Sequence, residues 1–318
     1  MNAAVLHALG KPPRFEQFAE PVAGEDEVIV NVRAAALKPV DKQMASGSHY
    51  ASPRELPVVC GLDGVGTLDD GTRLYFAGPR RPYGAMAQRT VVRRSQCFPV
   101  PEGLADEIAA AMPNPGMSAW LTLQWRAKLT PGETVLILGA TGVAGKLAVQ
   151  IAKLLGAGRV IAVGRNEAAL NSLRDLGADA TIRLDRQGQE LTETFAREAG
   201  DTGFQVIIDY LWGRPTEALL AAITRTGFAA VGAETRLVQV GESAGATISL
   251  PAAVLRSTAL TILGTASMPD PKVLGDVLQQ LLARAASGEL RIDTERIPLA
   301  DIENAWGREQ RARLVIIP

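Results

Sequence analysis

The chain has 318 residues, 47% of them hydrophobic, and a formal net charge of −1: room for two domains and a sizeable core, with no electrostatic footprint for nucleic acid or an anionic membrane. Its only cysteines, Cys60 and Cys97, and only histidines, His7 and His49, form neither a disulfide framework nor a paired zinc motif. No apolar run approaches the roughly 20 residues of a membrane span, and Met1-Asn-Ala-Ala-Val-Leu-His-Ala lacks the basic-then-apolar order of a secretory signal, so the expected location is cytoplasmic.

The first hundred residues carry short strand patterns at 3–7, 27–33, 64–68, 72–76 and 85–92, punctuated by Asp69-Asp-Gly71 and Gly78-Pro-Arg-Arg-Pro82. Such spacing predicts a compact barrel-like or partly open all-β domain. From about Glu107 the composition turns to Ala-rich helix, and strand and helix then alternate: strand 134–138, helix 143–155, strand 159–163, helix 167–176, and strands 206–209, 236–240 and 260–263. Alternation of this kind predicts a doubly wound parallel sheet and an α/β fold class. An amphipathic helix over 271–287 leads to Arg291-Ile-Asp293 and a last strand, 313–317, whose expected partners lie in the N-terminal β domain.

Thr134-Val-Leu-Ile-Leu-Gly139-Ala-Thr-Gly142-Val-Ala-Gly145 is the most informative segment. Val135 to Leu138 is too short an apolar run for a helix and reads as a buried parallel strand. A Gly-rich turn follows, then Leu147, Ile151, Leu154 and Leu155 at helical spacing. Strand, tight turn and helix N-terminus together suit a dinucleotide pyrophosphate, although the first glycine of the usual fingerprint is here Ala140. The expected cofactor-binding residues of this turn are Ala140, Thr141, Gly142, Val143 and Ala144. Past the second strand stands Gly164-Arg165-Asn166, with no acidic residue to hold a ribose 2′-hydroxyl and an Arg suited to a 2′-phosphate. The cofactor expected is therefore NADPH.

Six marks in order, Leu37-Lys-Pro-Val-Asp41, Gly61-Leu-Asp-Gly64, Asn114-Pro-Gly-Met-Ser-Ala119, Val135 to Gly145, Asp209-Tyr-Leu-Trp-Gly213 and Gln239-Val-Gly241, carry a resemblance. The chain resembles the medium-chain dehydrogenase/reductase superfamily, and within it the zinc-free quinone oxidoreductase branch that includes the zeta-crystallin-like proteins. The resemblance implies a GroES-like β-rich catalytic domain, residues 1–113 plus 269–318, and a Rossmann dinucleotide-binding domain, residues 114–268. It adds Asn114, Met117, Ser118, Arg183, Asp209, Val240, Gly241 and Ser243 to the expected cofactor-binding set, with nicotinamide against Asn114 to Ser118 and Val240 to Ser243. It also implies a homodimer formed through the strand 260–263.

Zinc relatives place a Cys near the first mark and a Gly-His-Glu at the second; here stand Lys38-Pro-Val-Asp41 and Gly61-Leu-Asp63. No metal is expected, and hydride transfer without a Lewis acid favours an already activated acceptor, a quinone or an alkene conjugated to a carbonyl. Lys38 replaces the branch's usual Asn and is a candidate to stabilise a developing oxyanion, with a surface position as the alternative. Asp41 is expected to fix its loop through backbone bonds. Enoyl-thioester reductases, a sister branch, carry a Tyr near this point, so Tyr50 is a candidate proton donor, its alternative being a partly buried lining residue. The expected function is a zinc-independent NADPH-dependent reductase that transfers hydride to a quinone or related activated carbonyl compound. The alternatives are a 2-enoyl-thioester reductase and an NADPH-binding structural or regulatory protein.

Overall fold

The computed structural model describes residues 1–185, 188–224, 234–266, 269–308 and 312–318. The chain divides into two compact units, Met1–Asn114 with Leu278–Pro318, and Pro115–Val277. The second unit thus runs nine residues beyond the expected break at 268, which adjoins residues outside the described set.

The first unit is β-rich. It begins with β1 (Asn2–Leu6), β2 (Arg14–Gln17), the long β3 (Glu27–Ala36), α1 (Pro39–Ser46) and β4 (Val58–Val59). There follow β5 (Asp63–Thr67), β6 (Arg73–Ala77), β7 (Arg89–Arg93), β8 (Cys97–Pro99) and α2 (Asp106–Ala111). β3 is the hub. It pairs antiparallel with β5 and with β7, and a register shift between Val32 and Ala34 bends it. Its alternation is clear in burial: Val28, Val30 and Val32 are buried while Arg33 is exposed.

The second unit begins within the short helix α3 (Pro113–Leu121). Its chain order is β9 (Thr134–Leu138), α4 (Val143–Leu154), β10 (Arg159–Gly164), α5 (Glu167–Ser172), β11 (Ala180–Arg183) and α6 (Gln189–Ala199). Then come β12 (Val206–Asp209), α7 (Arg214–Ile223), β13 (Thr235–Gln239), α8 (Ala252–Ser257) and β14 (Leu260–Leu263). Among the described residues the sheet has six strands in the order β11-β10-β9-β12-β13-β14, all parallel. The order reverses between β9 and β12, so the turns leaving those two strands flank the switch point where such sheets bind ligands. The sheet is held by Leu136, Leu138, Ile161, Val163 and Ile207 on the strands against Phe195 and Leu219 on the helices. Each such side chain contributes about 1.5–3 kcal/mol by burial.

The helix α9 (Pro271–Ala286) leads back to the first unit, where β15 (Thr294–Pro298), α10 (Ile302–Trp306) and β16 (Arg313–Ile317) close the chain. β16 pairs with β3, Val315 opposite Ala36, and β15 pairs with β16. The C-terminal strands therefore find their partner in the N-terminal β domain, as the sequence implies. The first of them starts at Thr294, three residues after the expected Arg291.

Candidate functional site

At the carboxyl edge of the parallel sheet, Gly139 leaves β9 with φ +86°, a left-handed conformation that favours glycine. The turn glycine is thus present, one residue before the position occupied by Ala140. Gly142 is the N-cap of α4, and its amide donates to the Gly139 carbonyl at 3.1 Å. A side chain on Gly145 would place Cβ 2.3 Å from the Gly139 oxygen, so glycine is what lets helix and strand pack this closely. Gly142 has only that oxygen nearby, at 3.5 Å, and its backbone remains open to approach. The first-turn amides of α4, those of Val143 and Ala144 included, have no intrahelical acceptor. Backbone donors, an approachable glycine and a helix N-terminus make a cradle that fits a pyrophosphate.

The neighbouring segments converge on the same edge. A Cβ on Gly164, at the end of β10, would lie 2.6 Å from Thr141 Cγ2. Arg165 is exposed, and no ion pair engages it among the described residues. Asn166 caps α5, its Oδ1 accepting from the Ala169 amide at 2.9 Å. Arg183 differs from expectation. Its guanidinium donates to Glu167 at 2.6 Å and to Asp185, so two carboxylates already occupy the fork that a 2′-phosphate would need.

Asp209 is fully buried. Its Oδ1 accepts from the amides of Leu211 and Trp212 at 2.8 Å, and its Oδ2 accepts from Thr216 Oγ1 at 2.5 Å. Burial pushes its carboxyl pKa up, against the pull of these donors. Asp209 therefore shapes the loop, which turns through positive φ at Trp212 and Gly213, and its carboxylate is spent on its own chain rather than offered to a cofactor. The amides of Val240 and Gly241 donate to the Asp209 carbonyl, and Ser243 Oγ donates to that of Tyr210. Segments 139–142, 209–212 and 240–243 thus lie side by side. Met117 and Ser118 are half-buried, and Ser118 lies beside the buried Tyr210 hydroxyl. Asn114 is exposed and belongs to the first unit.

In the first unit, Lys-Pro-Val-Asp proves to be a helix start. Lys38 is the N-cap of α1, Pro39 occupies the first turn, and the Asp41 carboxylate accepts from the Lys38 amide at 2.9 Å. Asp41 thus fixes its loop as expected, but Lys38 is neither on the surface nor available to a substrate. It is completely buried, with Nζ 2.7 Å from Asp63 Oδ1, 3.2 Å from the Ala36 carbonyl and 3.4 Å from Asp41 Oδ2. The first two are hydrogen bonds and the third is an ion pair. Burial alone would lower the ammonium pKa; the two carboxylates outweigh it and raise it.

Arg313, at the start of β16, completes the cluster. It is buried, and its Nη1 donates to the Leu37 carbonyl at 3.0 Å. Tyr75 on β6 lies beside Asp63, and burial, then the Asp63 charge, pushes its phenol well above the ordinary range. The sequence reading singled out neither Arg313 nor Tyr75. The available signal was a cation opening the apolar run Arg313-Leu-Val-Ile-Ile317, since a charge on a buried strand needs a counter-charge.

Tyr50 is not partly buried. It is 97% exposed and tilts against the His49 ring, with centroids 4.1 Å apart. His49 Nδ1 accepts from the Ala51 amide, which ties that ring to its loop. Among the described residues no group of three or more His, Cys, Asp or Glu side chains is placed to hold a metal, and no helix is long and apolar enough to cross a membrane.

The profile of the family described as zinc-binding dehydrogenase matches residues 143–283. The quinone oxidoreductase of Thermus thermophilus, solved alone and with NADPH, superposes with a TM-score of 0.83 at 30% identity, covering 100% of both chains. Quinone oxidoreductase-like protein 2 homolog of Nematostella vectensis is 27% identical over 310 residues, 91% of this chain and 80% of that one. The 2-methylene-furan-3-one reductase of Solanum lycopersicum is 30% identical over 234 residues, 66% of this chain, which spans only 59% of that protein's length. The chain is an oxidoreductase that belongs to the medium-chain dehydrogenase/reductase superfamily, in its quinone oxidoreductase branch.

Proposed function

We propose that the protein is a zinc-independent, NADPH-dependent reductase that passes hydride to a quinone or a related activated carbonyl compound. The observation that carries the reading is the open cradle at Gly139–Gly145, with exposed Arg165 and no acidic residue at the end of β10. The α4 amides and Gly142 would hold the pyrophosphate, and Arg165 the 2′-phosphate. When bound, the nicotinamide supplies the hydride. The protein's task is then to hold and orient, through Thr141, Ser243 and the loop that Asp209 braces.

Zinc independence is supported by the Lys38–Asp63 ion pair, which stands at the marks where zinc relatives carry Cys and His. Elemental analysis of chelator-free protein, finding one zinc per chain, would refute it. A quinone needs no protein acid, because water can protonate its reduced oxygens, and this agrees with the exposed position of Tyr50. The related reading, reduction of an alkene conjugated to a carbonyl, draws support from the tomato relative's name. NADPH oxidation measured against quinones, enones and enoyl thioesters decides among them; no turnover on any panel would leave only nucleotide binding.

The same reading includes a homodimer. β14 pairs only with β13 among the described residues, and an apolar sheet edge of this kind is a natural site for pairing about a two-fold axis. A monomeric mass at micromolar concentration would remove that part.

A further inference from the structure

A cavity of about 70 Å³ lies wholly within the first unit, at the inner face of α1. Where one water takes roughly 10–15 Å³, this is space for the body of a small ring rather than for a cofactor. Leu6, Met44, Val58, Val59 and Leu62 supply apolar wall, Asp41 supplies a carboxylate, and the two other polar side chains of the lining are already engaged, Arg81 donating to the Ala51 carbonyl at 2.7 Å and the Tyr83 hydroxyl to that of Glu20 at 3.1 Å. The Asp41 side chain is 1% exposed, and its two oxygens differ. Oδ2 takes the Lys38 amide and faces the Lys38 ammonium, whereas Oδ1 is buried with no hydrogen-bond partner among the described residues. Buried acceptors are rarely left unsatisfied, and a half-used carboxylate on a cavity wall is built for a donor from outside the chain.

The chemistry narrows the donor. Lys38 and Arg313 balance Asp41 and Asp63, so the cluster attracts neither cations nor anions strongly. An ammonium would bring three donors and a charge against apolar walls with one free acceptor. A carboxylate would meet Asp41 with like charge. A neutral, flat group with one strong O–H donor at its edge satisfies both the wall and the oxygen. We propose that this pocket binds a small phenol, its hydroxyl donating to Asp41 Oδ1 and its ring lying against Leu6, Val58 and Val59. The extension to catalysis, that the bound phenol is the hydroquinone product, rests on the quinone reductase reading.

The test is a titration of nucleotide-free protein with phenol, hydroquinone and anisole, followed through the methyl resonances of Leu6, Val58, Val59 and Leu62. Phenol and hydroquinone should give saturable shifts confined to these methyls, with Kd on the order of 1 mM for so few heavy atoms. Anisole, which has the same ring without the donor, should bind at least about tenfold more weakly. Met44→Trp, which fills the cavity and leaves Asp41 in place, should abolish the shifts while the rest of the spectrum stays native. Equal binding of phenol and anisole, unaltered binding in Met44→Trp, or no saturable shift, as when the oxygen is simply hydrated, each overturns the proposal. NADPH-dependent quinone turnover is measured in parallel. Turnover without phenol binding leaves the reductase reading and removes the pocket; binding without turnover leaves the pocket and removes only its hydroquinone role.

Discussion

The two units use the same kinds of charge for opposite purposes. In the first, Lys38, Asp41, Asp63 and Arg313 are all 5% exposed or less, and they come together from three separate stretches of the chain. At the sheet edge of the second, Arg165 projects from a strand end without an ion pair among the described residues, while its neighbour Arg183 is held by Glu167 and Asp185. A buried charge with its partner in place is committed to the fold, because removing either partner strands the other. An exposed, uncommitted charge contributes almost nothing to the fold and is free to recognise an anion. Residue type alone does not separate these roles; burial and the state of the partner do.

The largest expected effect comes from breaking the buried side of this contrast. Lys38→Met leaves the Asp63 and Asp41 carboxylates without their ammonium and should destabilise the protein by about 3–5 kcal/mol. Urea denaturation of the first unit's transition measures it. A cost below about 1 kcal/mol, the range of a solvent-exposed pair, would mean that the cluster is hydrated and not part of the structural frame.

The exposed side should respond in binding and not in stability. Arg165→Ala should weaken NADPH by about 1.5–3 kcal/mol, roughly tenfold or more, the worth of a hydrogen bond to a charged group. NADH affinity and the urea midpoint should stay where they are. Equal affinity of the unaltered protein for the two cofactors would sink the assignment of Arg165 to a 2′-phosphate. Gly145→Ala joins the two kinds of effect, since its Cβ would lie 2.3 Å from the Gly139 oxygen. It should cost about 1–3 kcal/mol by overpacking and weaken both cofactors alike, because the turn it distorts is common to them. Arg183→Ala should lower NADPH affinity by less than about threefold, given that exposed ion pairs are worth only about 0–1 kcal/mol to begin with; a tenfold loss would place its guanidinium on the phosphate after all.

The same contrast explains what was legible in the sequence. The parallel strands at 134–138, 206–209 and 260–263 fall where the apolar runs stand, as does the C-terminal strand at 313–317. A strand buried on both faces is written as a continuous apolar block whose ends are sharp. In the β unit the boundaries slip by a residue or more. β2, Arg-Phe-Glu-Gln, has no apolar alternation, and β4 has only two residues. The glycine turn was readable because strand, turn and helix are contiguous. The cluster was not, because Asp63 and Arg313 are 250 residues apart in the chain and meet only once β16 has paired with β3. Local pattern carries no information about which distant carboxylate will neutralise a buried cation.

Tyr50 gives the smallest expected effect and the sharpest use of the exposure argument. A general acid must reach the atom it protonates and be held there, and a positioned donor is worth roughly 10²–10⁴-fold in turnover. Held means packed, or fixed by hydrogen bonds on more than one side. Tyr50 is 97% exposed, follows Gly47-Ser-His in a loop, and has the His49 ring as its aromatic contact. His49 is anchored by the Ala51 amide, but nothing of that kind fixes the Tyr50 hydroxyl among the described residues. Tyr50→Phe should therefore leave quinone turnover unchanged to within roughly twofold, far below what loss of a positioned donor costs. NADPH binding should not change either, since Arg165 and the α4 cradle lie in the other unit. Turnover is best compared on a quinone and an enone together, because only the enone needs a proton on carbon. A hundredfold loss confined to the enone would show that this loop folds onto the substrate during the reaction and that exposure in the resting chain conceals a proton donor.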